Sequence, residues 1–498
     1  MAADNGVPRQ RTSDITSKIF NGEPYALTFP YFSEDVSRFI NALFAKLLSR
    51  ADRIFLLDMI ITITREIFVN AVKANAKRVF FLRNNIDIND PDEYSRGVAQ
   101  FKKAVVGQFE SIAADLEKSD YRVTLEIEKR DGVLAMKVIN NAPIHPVELS
   151  RIQMRQDKAK EFEDFTDAFD EIYDDTEGAG LGIVLVVLLL RNSGVGTDNY
   201  AITTDGKTTT TVLNIPSTLR PEEVTSDIKK RLLAQVQGIP TFPEHIFQLQ
   251  QLCADPESTI QVISDKIMGD PALATDVLKL SNSAGFVPAK RIETISEAVM
   301  TIGLKNLNAV LVATGARRIM DKRFQKFEQI WNHCNLVAFY ARRIAMKFKL
   351  SKVVENAYLA GLLHDLGKIV MLSTDLNLTN SIADIVQNRK IRTSTVIEEI
   401  SVGISHAQIG ALIAEKWGFP AYLIEAIRHH HTPLAASQPH AELVGVVYLA
   451  NLIAGIESRK YQFSYVDEEI LERYNLIDSA DFTALHEELK ALLKQQSL

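Results

Sequence analysis

Apolar residues recur at helical spacing early in the chain. Phe39, Leu43 and Leu47 form one set, and Ile60, Ile63, Ile67 and Val69–Ala71 another, which predicts two helices within residues 33–82. Val79-Phe80-Phe81-Leu82 is a short apolar run stopped by Asn84-Asn85 and predicts a short strand. Residues 85–118 are charged and read as helix. Tyr121–Lys129 and Val133–Ile139 read as strands around Arg130-Asp131-Gly132, a hairpin signal. Residues 146–177 are rich in charge, and the acidic run Glu161–Glu177 suits a mobile surface lid better than a core element. Gly178–Gly182 then leads into an apolar helix at Ile183–Leu190, and Asp205-Gly206 separates two strand-like stretches, Tyr200–Thr204 and Thr208–Ile215. The first half therefore reads as α+β with an antiparallel sheet.

Pro216–Gly238 is polar, with one amphipathic stretch at Ile228–Val236, and reads as a linker. Strand alternation is absent after it, and helix follows helix. Asp255-Pro256, Asp270-Pro271 and Ser351 stand where helices should begin. The expected order is a loose start at 1–22, an α+β module at 23–216, a linker at 217–236, an all-helical domain at 237–455 and C-terminal helices at 456–498. No repeat or low-complexity segment interrupts it.

At 498 residues the chain exceeds the ~250–300 at which single cores stop growing, so several domains are expected. A net charge of -7 disfavours a nucleic-acid-coating protein. Cys253 and Cys334 are the only cysteines, far apart in sequence, which suits a reducing cytoplasm and argues against a disulfide framework or a cysteine-ligated zinc site. The polar stretch Met1–Arg11 is no signal peptide. The longest apolar run, Ile183–Leu190, falls far short of the roughly 20 residues a membrane-spanning helix needs, so no span is expected.

Three patches in the first half carry chemistry. Glu66, Asn70 and Lys73 are spaced to share one helix face, where they suit a water, a magnesium ion and a phosphate. Asn140-Asn141-Ala142-Pro143 closes a strand. Gly178, Gly180 and Gly182 precede a helix, where backbone amides can approach phosphate. Each is weak alone. In this order and spacing they resemble the GHKL ATPase family of histidine kinases and gyrase-type topoisomerases, over roughly residues 30–216. The resemblance implies a Bergerat-type α/β sandwich binding ATP or ADP with magnesium, the metal held by Asn70 and the adenine amino group read at Asn140. The family has an aspartate where Asn140 stands and a glycine where Ala142 stands, so the module is degenerate: a neutral acceptor is weaker than a carboxylate. His145, the only histidine in this half, is misplaced for a phosphoacceptor, and autophosphorylation is not expected. A pseudo-ATPase that binds no nucleotide is the competing reading.

Six of ten histidines fall between 333 and 431: His333, His364, His406, His429, His430 and His431. Asp365 follows His364 inside the apolar segment Ala360–Lys368, and a buried His-Asp pair calls for a metal or a hydrogen-bond network. The order His333, His364-Asp365, His406, His430-His431 resembles the HD superfamily of metal-dependent phosphohydrolases. Ile239-Pro240-Thr-Phe-Pro243, Asp270-Pro271, Asn282-Ser283-Ala284, Gly303-Leu304 and Trp417-Gly-Phe-Pro420 narrow the likeness to the HDOD domain, over about residues 237–455. The resemblance implies a helical regulatory module of bacterial signalling. If a divalent iron, manganese or zinc binds, it implies His333, His364, Asp365 and His406 around it, with His430 or His431 serving a second ion. Asn451 stands where active HD enzymes close the site with an aspartate, and no GYP-type motif is present. Lys368 reads either as a phosphate contact or as a helix cap.

Three functions follow. The leading one is a cytoplasmic signalling protein in which a nucleotide-binding-like module controls an HDOD module that meets partner proteins or a second copy of the chain. The second is a metal-dependent phosphohydrolase acting on a nucleotide or phosphoester. The third is a scaffold with both pockets vestigial.

Overall fold

The structure is a computed structural model that describes residues 11–162, 180–216, 218–219, 227–282, 291–324, 327–388, 390–458 and 461–496. The chain divides into two compact units, Met1–Val224 and Thr225–Leu498.

In the first unit, α1 (Thr12–Phe20) leads to β1 (Tyr25–Phe29), then α2 (Glu34–Arg50), α3 (Leu57–Arg83) and α4 (Pro91–Lys118). The hairpin β2 (Val123–Arg130) and β3 (Val133–Asn140) follows, then α5 (Pro146–Glu161), α6 (Gly180–Asn192), β4 (Tyr200–Thr204) and β5 (Thr209–Ile215). The strands form one antiparallel sheet ordered β1-β2-β3-β5-β4. Its register follows the side-chain period of two. Val123, Leu125 and Ile127 stand opposite Asn140, Val138 and Met136, and all six are buried. The Asp131-Gly132 turn has positive φ at both residues, 50° and 81°, as a two-residue hairpin of this twist requires.

Two expectations for this unit need correction, and a third falls outside the described residues. Val79–Leu82 is the last turn of α3, not a strand. A four-residue apolar run has no period of its own, and Phe81 is buried while Leu82 is exposed, as a helix face dictates. The charge-rich segment after residue 146 begins as helix α5, and the lid expected over Glu161–Glu177 falls almost wholly outside the described residues. Gly180 and Gly182 form the first turn of α6 rather than a loop before it, and Gly178 lies outside the described residues.

The described residues of the second unit are helices and turns. They run α7 (Asp227–Gln237), α8 (Glu244–Ala254), α9 (Ile260–Met268), α10 (Pro271–Ser281), α11 (Ile295–Arg323), α12 (Glu328–Lys347), α13 (Val354–Leu363) and α14 (Leu366–Thr374). Then come α15 (Leu376–Asn388), α16 (Ser394–Val402), α17 (His406–Lys416), α18 (Ala421–His429), α19 (Ala441–Glu457), α20 (Glu468–Arg473) and α21 (Ser479–Gln496). The stretch read as a linker is α7, which packs on α14 and α17 and buries Leu232 and Val236. A polar helix with one narrow apolar stripe reads as a linker until a groove is found for the stripe. Asp270 caps α10 by accepting from the amides of Ala272 and Leu273 at 3.1 and 3.0 Å, as expected. Asp255-Pro256 and Ser351 instead lie in turns, three to five residues before α9 and α13 begin. Among the described residues only α11 is long and apolar enough by composition to cross a membrane; 61% of its most apolar window is buried inside the protein, and Gly303 (φ 77°) breaks it.

Candidate metal centre

Several uncharged motif residues among those described are packing devices. Trp417 donates from Nε1 to Pro240 O at 3.0 Å, and Phe242 meets the rings of Trp417 and Phe419 at 5.5 and 5.2 Å. Asn282 makes two 2.8 Å bonds to the backbone of Ile292, donating to its carbonyl and accepting its amide. Gly367 and Gly410 let α14 and α17 touch through their backbones: a Cβ on Gly367 would stand 2.6 Å from Gly410 N. Gly361 does the same for α13 against α12, where a Cβ would meet Ala338 Cα at 2.6 Å.

These close approaches gather the ionisable residues. His364 ends α13 and Asp365 stands just before α14 without capping it; His406 opens α17, where Ser405 and Gln408 form a capping box; His430 and His431 follow α18. His333 comes from the middle of α12 and Asn451 from the middle of α19. His364, Asp365, His406, His430, His431 and Asn451 are buried, and His333 is partly exposed.

The ring tautomers are set by outward hydrogen bonds. His364 Nδ1 pairs with Gly361 O at 2.8 Å, and His430 Nδ1 with Ile427 O at 2.7 Å. A carbonyl only accepts, so both Nδ1 atoms carry hydrogen and both Nε2 atoms turn inward as lone pairs. His406 Nδ1 lies 2.7 Å from Glu398 Oε2, and Glu398 also accepts the His406 backbone amide at 2.8 Å. Three Nε2 atoms then meet: His406 stands 3.2 Å from both His430 and His431. Asp365 Oδ1 lies 3.3 and 3.4 Å from the Nε2 atoms of His406 and His430, yet has no well-directed hydrogen bond, and His364 Nε2 has none either. Buried polar atoms without partners are expensive unless a ligand completes them.

The expected residues are therefore all in one place, but divided differently. Asp365, His406, His430 and His431 form one set of converging ligand atoms, and His333, His364 and Asp365 form another, each within 4.8 Å. His406 goes with His430 and His431, not with His333. His429 pairs with Thr432 Oγ1 at 3.2 Å and joins neither set. Lys368 Nζ donates to Asp365 Oδ2 at 2.9 Å, so it faces the site's own carboxylate. His333 Nε2 is 3.0 Å from Asn451 Oδ1 and 3.8 Å from Asp365 Oδ2. Glu398, buried and central, was not foreseen; its one signal is a carboxylate among Val396, Ile397 and Ile400.

Burial drives the pKa values of His333 and His364 down to about 3 despite the nearby Asp365. Burial would raise Asp365, but His364 and Lys368 outweigh it and hold the carboxyl well below the usual range. Burial likewise opposes a charged His406, and Glu398 reverses this and raises its pKa. Most of the imidazoles are thus held neutral beside an ionised carboxylate, the protonation states that metal ligation requires. Three imidazoles and one carboxylate are a donor set that suits zinc, iron or manganese.

In the first unit, Asn140 ends β3 with its amide donating to Ala71 O at 3.2 Å, while its Oδ1 is buried and unpartnered. Ala71 belongs to α3, the helix that carries Glu66, which is buried, and Asn70 and Lys73, which are exposed. His145 caps α5 by accepting the Val147 amide at 3.3 Å.

Residues 239–433 match the HDOD domain. Over 453 residues the chain is 27% identical to an uncharacterized protein of Treponema pallidum (strain Nichols), covering 91% of this chain and 88% of that one. A crystal structure of a Shewanella amazonensis SB2B protein with a provisional phosphohydrolase name is 25% identical with a TM-score of 0.43, over 53% of this chain and 95% of that one. An HDOD domain protein of unknown function from Geobacter sulfurreducens is 23% identical with a TM-score of 0.43, over 54% and 97%.

Proposed function

We propose that this chain is a cytoplasmic regulatory protein whose HDOD domain is completed by one buried divalent metal ion and whose first unit responds to a nucleotide. The observation that supports the metal is the meeting of three buried Nε2 atoms with an unpartnered Asp365 oxygen. His406, His430, His431 and Asp365 would hold the ion. Four protein ligands make a closed site of the structural kind, whereas catalytic sites keep a position for water. That favours a regulatory module over a hydrolase. Support for the nucleotide is the buried, unpartnered Asn140 Oδ1 at the end of β3, an acceptor suited to an adenine amino group.

Elemental analysis of the purified chain and of His406→Ala tests the first claim. Near-stoichiometric zinc, iron or manganese is expected, and none in the variant; wild-type protein without metal after reconstitution overturns it. Calorimetric titration with ATP and magnesium tests the second. Weak binding that Asn140→Ala abolishes is expected, and no heat from wild-type protein refutes it.

A second reading, a metal-dependent phosphohydrolase, draws on the partly exposed Lys368 and His333 at the edge of the centre. Metal-dependent release of phosphate from a phosphodiester by the loaded protein is the result that would favour it.

A further inference from the structure

The two ligand sets share Asp365, which at first sight describes a pair of metal ions bridged by one carboxylate. The two oxygens of that carboxylate meet different surroundings. Oδ1 faces His406 and His430 and lacks a directed partner. Oδ2 accepts from Lys368 Nζ at 2.9 Å, and the Nε2 atoms of His364 and His333 stand 3.5 and 3.8 Å from the same oxygen. The second cation position is thus beside an ammonium.

We infer that Lys368 serves as a built-in second cation: its ammonium takes the Oδ2 side of Asp365 and restricts the centre to a single metal ion at His406, His430 and His431. This rests on the metal reading above. Two more features agree with it. His333 Nε2 is engaged by Asn451 Oδ1 at 3.0 Å, so that ring cannot offer a lone pair inward without giving up its partner. Asn451 is neutral, so the Oδ2 side has no second carboxylate to offset a dication. An ammonium and a metal ion close to one carboxylate oxygen repel each other strongly in a buried site. The short spacing from Asp365 to Lys368 makes the pairing local: the residue just before α14 is met by a residue in its first turn.

The test is equilibrium dialysis of the full chain against zinc(II), with bound ions counted by elemental analysis, for wild type, Lys368→Met, Lys368→Arg and Lys368→Met/His333→Ala. We expect a single ion in wild type and in the charge-keeping Lys368→Arg, a second ion in Lys368→Met, and its loss in the double variant. Circular dichroism confirms that each variant is folded; if Lys368→Met is not, Lys368→Gln, which keeps a donor and drops the charge, replaces it with the same expectation. Two ions in wild type overturn the inference and leave the metal reading intact. No ion in wild type overturns both. A single ion in every folded variant also overturns it, because the lysine then excludes nothing.

Discussion

Glu398 holds His406 by two bonds, one to the ring and one to the backbone amide at the start of α17. Removing its charge should leave the fold intact and loosen the metal. Carboxylates that orient ligating imidazoles typically contribute 10–100-fold in affinity, so Glu398→Gln should weaken zinc binding by roughly that factor in a competition titration against a chelator. An unchanged affinity would mean that the carboxylate only balances charge. His333 and His364 were recognisable as candidate ligands from their order in the chain and were grouped with Asp365, as the geometry also groups them; His406, expected with them, converges instead with His430 and His431. The resemblance placed Asn451 at the site, but its pairing with His333, 118 residues away, follows only from how α12 and α19 pack.

The helices meet where side chains are missing. Gly367 has no room for a Cβ against His406 and Gly410. Gly367→Ala should push α14 from α17, cost about 1–3 kcal/mol in urea unfolding and lower metal occupancy together with stability. Asp270 offers a contrasting case at a helix end. It caps α10 and pairs with Arg318 at 2.8 Å. Asp270→Ala should cost about 1 kcal/mol, chiefly as a lost cap, because the ion pair is partly exposed. The hydrogen bonds from Arg318 and the Leu273 amide lower its pKa. The folded state therefore binds its proton less readily than the unfolded one. The contribution is full above the ordinary carboxylate pKa of 3.8 and fades as pH falls through the lower folded value. The wild-type and Asp270→Ala unfolding curves should accordingly converge in acid. The helix start at Asp270-Pro271 was legible because a side-chain cap acts locally, whereas the same pair at Asp255-Pro256 lies in a turn and Thr259 caps the next helix; Val79–Leu82 was misread because four apolar residues suit either a strand or a helix until a neighbour selects a face.

For the molecule as a whole, the boundary between the two compact units falls at residue 224, and α7 lies beyond it. Leu232 and Val236 are buried on a helix that packs on α14 and α17, beside the candidate metal centre. Complete burial of such a side chain is worth about 1.5–3 kcal/mol. A fragment spanning residues 225–498 should unfold cooperatively, while one that starts after α7 should melt at a clearly lower temperature in calorimetry; equal melting temperatures would show that α7 is dispensable.

The sequence by itself determined the division into an α+β half and a helical half, the hairpin at Asp131-Gly132, the HDOD motifs and the candidate ligands His333, His364, Asp365, His406, His430 and His431, without Glu398. All of these depend on periodicity, local turn chemistry or the order of short motifs, which are properties of the chain read in one direction. Tertiary structure alone decided the role of α7, the pairing of Glu398 with His406, the division of the ligands into two sets and the placement of Lys368 on one oxygen of Asp365. Those depend on which backbones come close enough to touch, and Gly367, Gly410 and Gly361 set that distance only once their partners across the bundle are in place.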